Sequence, residues 1–321
     1  MRLSKIGEFG LIKKLRSRCR NTPPEILTGI GDDSAAIKIG NRKILVTTDM
    51  LIEGIHFDLS YTTFFQLGYK LLAVNISDIF AMGGYPKYFF ISLGIPKRFK
   101  PDDIGALYSG ILKLAKKYDI AIAGGDTCAS EKGLVLNGTL IGTAGRIVTR
   151  AGARAGDGIF VTDTLGDSAM GLELLKRQKA KGERQGARGE QLFAHLIKKH
   201  LMPEPTPVKD IADITSMIDI SDGLLIDLSH ICDESKAGAV IHRNKIPLSR
   251  ELADAAKISG LDPLRFALKG GEDYALLFTA PQDIKTNAFR IGEIVRKGRF
   301  IMDEKGRKTR FKAEGYEHFK E

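Results

Sequence analysis

The chain is patterned in two periods. KILVTTD (43–49) and YFFISLGIP (88–96) carry the dense β-branched and aromatic runs that predict strands. Between them, FFQLGYKLLAVNISDIFAMGG (64–84) spaces its apolar residues as a helix does and is stopped by Gly83 and Gly84. PDDIGALYSGILKLAKKY (101–118) opens with proline and acids and closes with lysines, the polarity of a second helix. IAIAGG then predicts a short buried strand, and LVLNGTLIGTAGRIV a longer strand leaving the first unit. At TRAGARAGDGIFVTD small residues and glycines lead into a new strand and a helix from Asp167. Helices are expected at 171–179, 191–200 and 223–234, followed by strands GAVIH, YALLFT and RIGEIV. The pattern is α+β, built from α/β-type layers, with an N-terminal unit over 1–149 and a C-terminal unit over 150–321. At 321 residues the chain exceeds the usual single domain, and each unit is long enough to bury a core of its own.

Composition changes this picture little. With 43% apolar and 27% charged residues the protein is ordinary globular material. The net charge of +10 admits anionic partners of any size. Basic residues are spread out and thicken only in KRQKAKGERQGARG (176–189), which has no aromatic residue to stack on a base and reads as a solvated loop; no nucleic-acid partner is expected. Cys19, Cys128 and Cys232 lie far apart without CxxC spacing, which argues against disulfides or structural zinc and fits a reducing cytoplasm. MRLSKIGEFGLIKKLRSR lacks the apolar core of a signal peptide, and no stretch is long enough to span a bilayer, so no membrane association is expected.

The candidate chemistry lies in the acids. GIGDDSAAIKI (29–39) sets Asp32 and Asp33 beside glycines, an arrangement that an ordinary turn also explains. Asp33, Asp49, Asp78, Asp126, Asp219 and Asp222 recur at strand ends or where a helix meets glycine, in LVTTDM, AVNISDIF, IAIAGGDT and MIDISDGL. Each alone could be a cap or turn residue. Together at strand ends they would repel one another unless cations lay between them, and magnesium, with hard oxygen ligands shared with phosphates, suits them best. Thr47, Thr48 and Ser221 add neutral oxygens. The chain has no GxxxxGK[ST] loop, GxGxxG helix start, kinase HRD and DFG set, HExxH or GxSxG. A nucleotide enzyme built this way would hold phosphates through metals, arginine and backbone amides.

The ordered motifs GIGDDSAAI, VTTDMLIEGIHF, AVNISDIFAMGG, IAGGDT, GRIVTRAGARAGD, IDISDGLLIDL and LKGGEDYALLF, with GYEHF near the end, resemble the thiamine-monophosphate kinase family of the aminoimidazole ribonucleotide synthetase-like (PurM-like) superfamily. The resemblance implies a two-domain fold, a homodimer pairing its N-terminal sheets, and transfer of the ATP γ-phosphoryl group to thiamine monophosphate. It implies several magnesium ions on Asp33, Thr47, Thr48, Asp49, Asp78, Asp126, Asp219 and Asp222. Tyr108, Gly125, Asp126, Arg150 and Ser221 fall where the family contacts ATP, and His56, Glu272 and Tyr316 where it contacts thiamine phosphate. On their residues alone His56 could also be a structural histidine, Glu272 a strand cap and Tyr316 a packing aromatic. No side-chain nucleophile or phosphoenzyme is expected. Selenophosphate synthetase and the hydrogenase-maturation relative depend on cysteines that this chain lacks at the matching places. The alternative within the superfamily is a ligase that uses ATP to activate an amide oxygen.

Overall fold

The computed structural model describes residues 3–19, 23–180 and 193–319. Helix α1 (Leu3–Arg18) is interrupted at Gly7, whose φ is 64°. Strands β1 (Ile26–Thr28), β2 (Ala35–Ile39) and β3 (Arg42–Ile52) follow, then helix α2 (Phe64–Ala81), β4 (Tyr85–Pro96), α3 (Pro101–Tyr118), β5 (Ala121–Ser130) and β6 (Val135–Ala144). These strands make one sheet in the order β1-β2-β3-β6-β4-β5, antiparallel except for β4 beside β5. Two expectations are corrected here. IAIAGG does not start a buried strand, since β5 is an exposed sheet edge. LVLNGTLIG does not leave the unit; β6 lies between β3 and β4, with alternate residues buried.

The second sheet collects β7 (Gly158–Val161), β8 (Ser216–Asp219), β9 (Gly238–His242), β10 (Leu276–Ala280), β11 (Phe289–Val295), β12 (Arg299–Met302) and β13 (Lys308–Arg310) in the order β13-β12-β9-β11-β7-β10-β8. Helices α4 (Asp167–Ala180), α5 (Ala194–Leu201), α6 (Leu224–Glu234), α7 (Arg250–Ser259) and α8 (Pro263–Lys269) belong to this half. The first residues of the basic segment, 176–180, are the last turn of α4 and not loop; 181–189, and the expected helix residues 191 and 192, lie outside the described residues.

Helix α2 joins the two halves. Thr63 and Gln66 form a capping box at its start, and fourteen of its eighteen residues are buried. It packs on β3, β4 and β6 of the first sheet and on β8 and β10 of the second. The core is accordingly shared: Phe160, Met217, Leu276 and Phe278 belong to the same apolar cluster as Leu71, Ile79, Phe89 and Leu140. The helix can lie this close to α3 because glycines face it. A Cβ on Gly68 would come within 1.9 Å of the Leu107 carbonyl oxygen, and one on Gly110 within 1.9 Å of that of Phe65. The other face of the first sheet carries Ile39, Met50 and Tyr88 exposed. Among the described residues no helix is long and apolar enough to cross a membrane.

Candidate active site

Three elements bring carboxylates to one place. The loop before β2 supplies Asp33, the last turn of α2 supplies Asp78, and the end of β8 supplies Asp219; one oxygen of each lies within 4.8 Å of the others. Asp78 sits there because AVNISDIF is apolar enough to thread its helix between the sheets, leaving the acid at the gap where they meet. Thr47, on the buried face of β3, donates its hydroxyl to Asp78 and a longer bond, 3.4 Å, to the Asp33 carbonyl. Ser77 Oγ donates to Asp219 Oδ2 at 2.6 Å. Asp33 Oδ2 and Asp49 Oδ2 are buried and without a partner.

The electrostatics are those of acids crowded without enough cations. Burial, then the charges of Asp49, Asp219 and Asp33, hold the Asp78 carboxyl well above its usual range. Burial and Asp33 push Asp219 to about 8, and burial raises Asp49 to about 6. Among the described residues the cation paired with this group is Arg150, whose Nη2 lies 2.5 Å from Asp33 Oδ1 while its backbone N–H points at Asp32, 3.3 Å away. Burial opposes the Arg150 charge, but Asp33 more than compensates and its pKa is raised.

A second group lies on the far side of the Ser221–Asp222 turn. Glu272 N–H donates to the Ser221 carbonyl at 2.8 Å, and Tyr316 N–H to that of Asp222 at 2.9 Å. Burial and then the Glu8 charge raise the Asp222 carboxyl to about 7, against the opposing charge of Arg150. Glu272 is paired with Lys70 at 2.7 Å and His200 at 3.1 Å. The His56 ring packs 5.1 Å from that of His318, which in turn meets Tyr316 edge-on at 4.9 Å. His56 Nδ1 accepts from the Ile52 N–H, and burial followed by His318 lowers its pKa, so it is a neutral ring with Nε2–H available.

Of the residues singled out from sequence, Asp33, Thr47, Asp49, Asp78, Asp219 and Arg150 converge, and Ser221 and Asp222 bridge to Glu272, His56 and Tyr316. Thr48 turns its hydroxyl to the opposite face of β3, bonding Thr139 and Asn137. Asp126 is exposed on β5, aligned with Ser92 and Asn137 on that same face and three strands from β3. Gly125 lies one residue before it, with φ of 156° and no room for a side chain against the Ile91 carbonyl. Tyr108 is half-buried against the core on α3. Sequence reasoning missed Lys70, His200 and His318. Lys70 alone carried a usable signal, a charge in the middle of an apolar helical run.

The chain matches the family models of the N-terminal domain of AIR synthase related proteins over residues 31–144 and of their C-terminal domain over 154–303. Fold and acid-lined interior thus define a two-domain AIR synthase related protein. It is 37% identical over 326 aligned residues to the thiamine-monophosphate kinase of Aquifex aeolicus, covering 99% of this chain and all of that one. It is 37% identical to the Escherichia coli K12 thiamine-monophosphate kinase over 86% of this chain and 83% of that protein. The solved structure named AaThiL, complexed with AMPPCP and TMP, superposes with a TM-score of 0.87 at 35% identity, covering 99% of both chains. The chain belongs to the thiamine-monophosphate kinase family. Hydrogenase maturation protein HypE, 18% identical with a TM-score of 0.63, shares the fold alone.

Proposed function

We propose that this protein transfers the γ-phosphoryl group of ATP to the phosphate of thiamine monophosphate, giving thiamine diphosphate and ADP. The observation that carries this reading is a gap lined by Asp33, Asp49, Asp78 and Asp219 beside Arg150, with a separate aromatic and carboxylate group across the Ser221–Asp222 turn. The relatives share this family across nearly the whole chain.

The donor set fits magnesium. Its atoms are hard oxygens, two of them buried and unpartnered, and the raised acid pKa values mark a site short of positive charge. Asp33, Asp49, Asp78 and Asp219 would hold the ions, with Thr47 supporting Asp78. Bound magnesium supplies neutralisation of the charge on the two approaching phosphates. The chain's own residues do the rest. Arg150 offers a planar fork to a phosphate oxygen, and Ser221 lies at the turn between nucleotide and acceptor. His56, Glu272 and Tyr316 orient the acceptor: an aromatic ring stacks on a flat heterocycle and a carboxylate suits the cationic thiazolium or the aminopyrimidine. The acceptor phosphate oxygen attacks the γ-phosphorus directly; the new P–O bond forms as the bond to the β-bridging oxygen breaks. Positioning and charge neutralisation supply the rate, and no side chain is phosphorylated.

We infer a homodimer formed by the uncovered face of the first sheet, with Thr48 and Asp126 on the pairing side, a unit boundary between 149 and 150, and a cytoplasmic setting. The decisive assay incubates the protein with ATP, magnesium and either thiamine monophosphate or free thiamine and separates products by chromatography. Thiamine monophosphate brings its own dianion, whereas thiamine offers a hydroxyl that needs a base, and the acids here are committed elsewhere. The monophosphate is therefore expected to be used with a kcat/KM at least about a hundredfold higher. Equal use of both acceptors, or ATP hydrolysis without thiamine diphosphate, would refute the reading.

A further inference from the structure

Glu272 has unusual surroundings for a carboxylate outside the acid cluster. Its backbone is in the left-handed region, at φ 64°, and Tyr274 two residues on is at φ 50°. Such conformations cost non-glycine residues free energy and persist only where neighbours over-determine them. Several do. Glu272 and Tyr274 N–H groups donate to the Ser221 and Ile220 carbonyls. Asp273, between them, accepts from the Gly166 and Ser168 N–H groups at 2.6 and 3.2 Å, which ties the turn to the start of α4.

The side chain is held as firmly from behind. Lys70 Nζ reaches Oε1 at 2.7 Å, and His200 Nδ1 reaches Oε2 at 3.1 Å. An ionised carboxylate only accepts, so His200 carries its proton on Nδ1, with Ser168 Oγ sharing that nitrogen at 3.2 Å. Exposure divides the group sharply. The Lys70 and His200 side chains are 3% and 4% exposed, while Glu272 retains 27%. The two donors are thus walled in behind a carboxylate that keeps part of its surface exposed. Among the described residues, Glu272 is the sole acceptor for the Lys70 ammonium, and a buried lysine with one carboxylate partner is costly to maintain.

We propose that Lys70, with His200, is a positioning residue for the acceptor: it fixes the partly exposed Glu272 carboxylate without itself touching the ligand. This rests on Glu272 facing the thiamine phosphate, as argued above. A salt bridge kept only for stability would have no need of a strained glutamate that stays partly exposed. Removing Lys70 leaves the carboxylate without its cation and free to swing away from His200.

The test compares wild type, Lys70→Met, Glu272→Gln and the double variant Lys70→Met/Glu272→Gln by steady-state kinetics and thermal melting. Lys70→Met is expected to raise KM for thiamine monophosphate about tenfold to a hundredfold, the scale of one charged hydrogen bond. KM for ATP and kcat should stay within about threefold, a split that loss of uniform acceptor binding produces and general damage does not. In the Glu272→Gln background the same lysine change should add nothing to KM, because its effect passes through the carboxylate. Lys70→Arg should recover part of the loss. If Lys70→Met fails to fold, the neutral double variant and Lys70→Arg carry the comparison. An unchanged KM in folded Lys70→Met, or effects that multiply in the double variant, would overturn the proposal. Absence of thiamine monophosphate turnover in wild type would instead refute the functional reading itself.

Discussion

At the scale of single residues, Asp78 shows how the site balances stability against chemistry. It lies among three other acids, and its partners are the Thr47 hydroxyl and a cluster that burial and mutual charge hold partly protonated. Asp78→Asn removes a proposed magnesium ligand and a repulsive charge together. Activity should fall by at least about a hundredfold, while the melting temperature of the metal-free protein stays level or rises. Near wild-type turnover in that variant would refute the metal assignment. The same crowding sets a pH dependence. The folded-state values of Asp222, about 7, and Asp219, about 8, stand above the unfolded value of about 4. The folded protein therefore holds protons that the unfolded chain releases, and this stabilisation, present at low pH, is lost as pH rises through 7 and 8. Between pH 7 and 8, where Asp219 is still giving up its proton and unfolded histidines have largely titrated, the metal-free melting temperature should decline, and it should level off above pH 8. Added magnesium should restore it more at the upper end, as scanning calorimetry would show. A flat profile without cation would count against the raised acids.

At the scale of elements, the contact between α2 and α3 depends on two missing side chains. Gly68→Ala would drive a methyl group into the Leu107 carbonyl, and neither backbone can give way without moving a helix. The expected loss is about 3 kcal/mol, read from the denaturant midpoint, against about 1 kcal/mol gained by the same change on an exposed helix face. These helices were legible because their caps and periodicity are local: PDDIGALYSGILKLAKKY matches α3 from end to end. The sheet was less so. Neither the edge position of β5 nor the central place of β6 is written in its own residues, because strand order depends on pairing across dozens of intervening positions. In the site, acids flanked by glycine and threonine stood out. His200 did not, and Lys70 showed only as a charge inside an apolar helical run; both acquire their meaning from Glu272, 72 and 202 positions away by number. The positive φ at Glu272 was likewise silent, because GGEDY reads as a turn in which the glycines would be expected to take the strain.

At the scale of the whole molecule, the first sheet has one covered face and one open one. Ile39, Met50 and Tyr88 are exposed on the open side, with Thr48 and Asp126 among them. A mass of about twice the 35.2 kDa chain is expected in sedimentation equilibrium at micromolar concentration. Met50→Glu should shift the population toward half that mass by placing an unpaired charge on the pairing face. A wild type that runs as an active monomer would remove the case for pairing.

Helix α2, threaded between both sheets, has a further consequence for how the protein can be taken apart. The boundary near residue 150 divides the sequence but not the interior, since one apolar cluster includes Leu71 and Ile79 as well as Met217 and Phe278. A fragment ending there would leave the far flank of α2 facing water, and the complementary fragment would lose the helix that seals β8 and β10. The two halves should therefore melt in a single calorimetric transition. Expressed apart they should be insoluble, and mixed during refolding they should recover one another, so that the helix acts as the internal partner of a protein that is divisible only on paper.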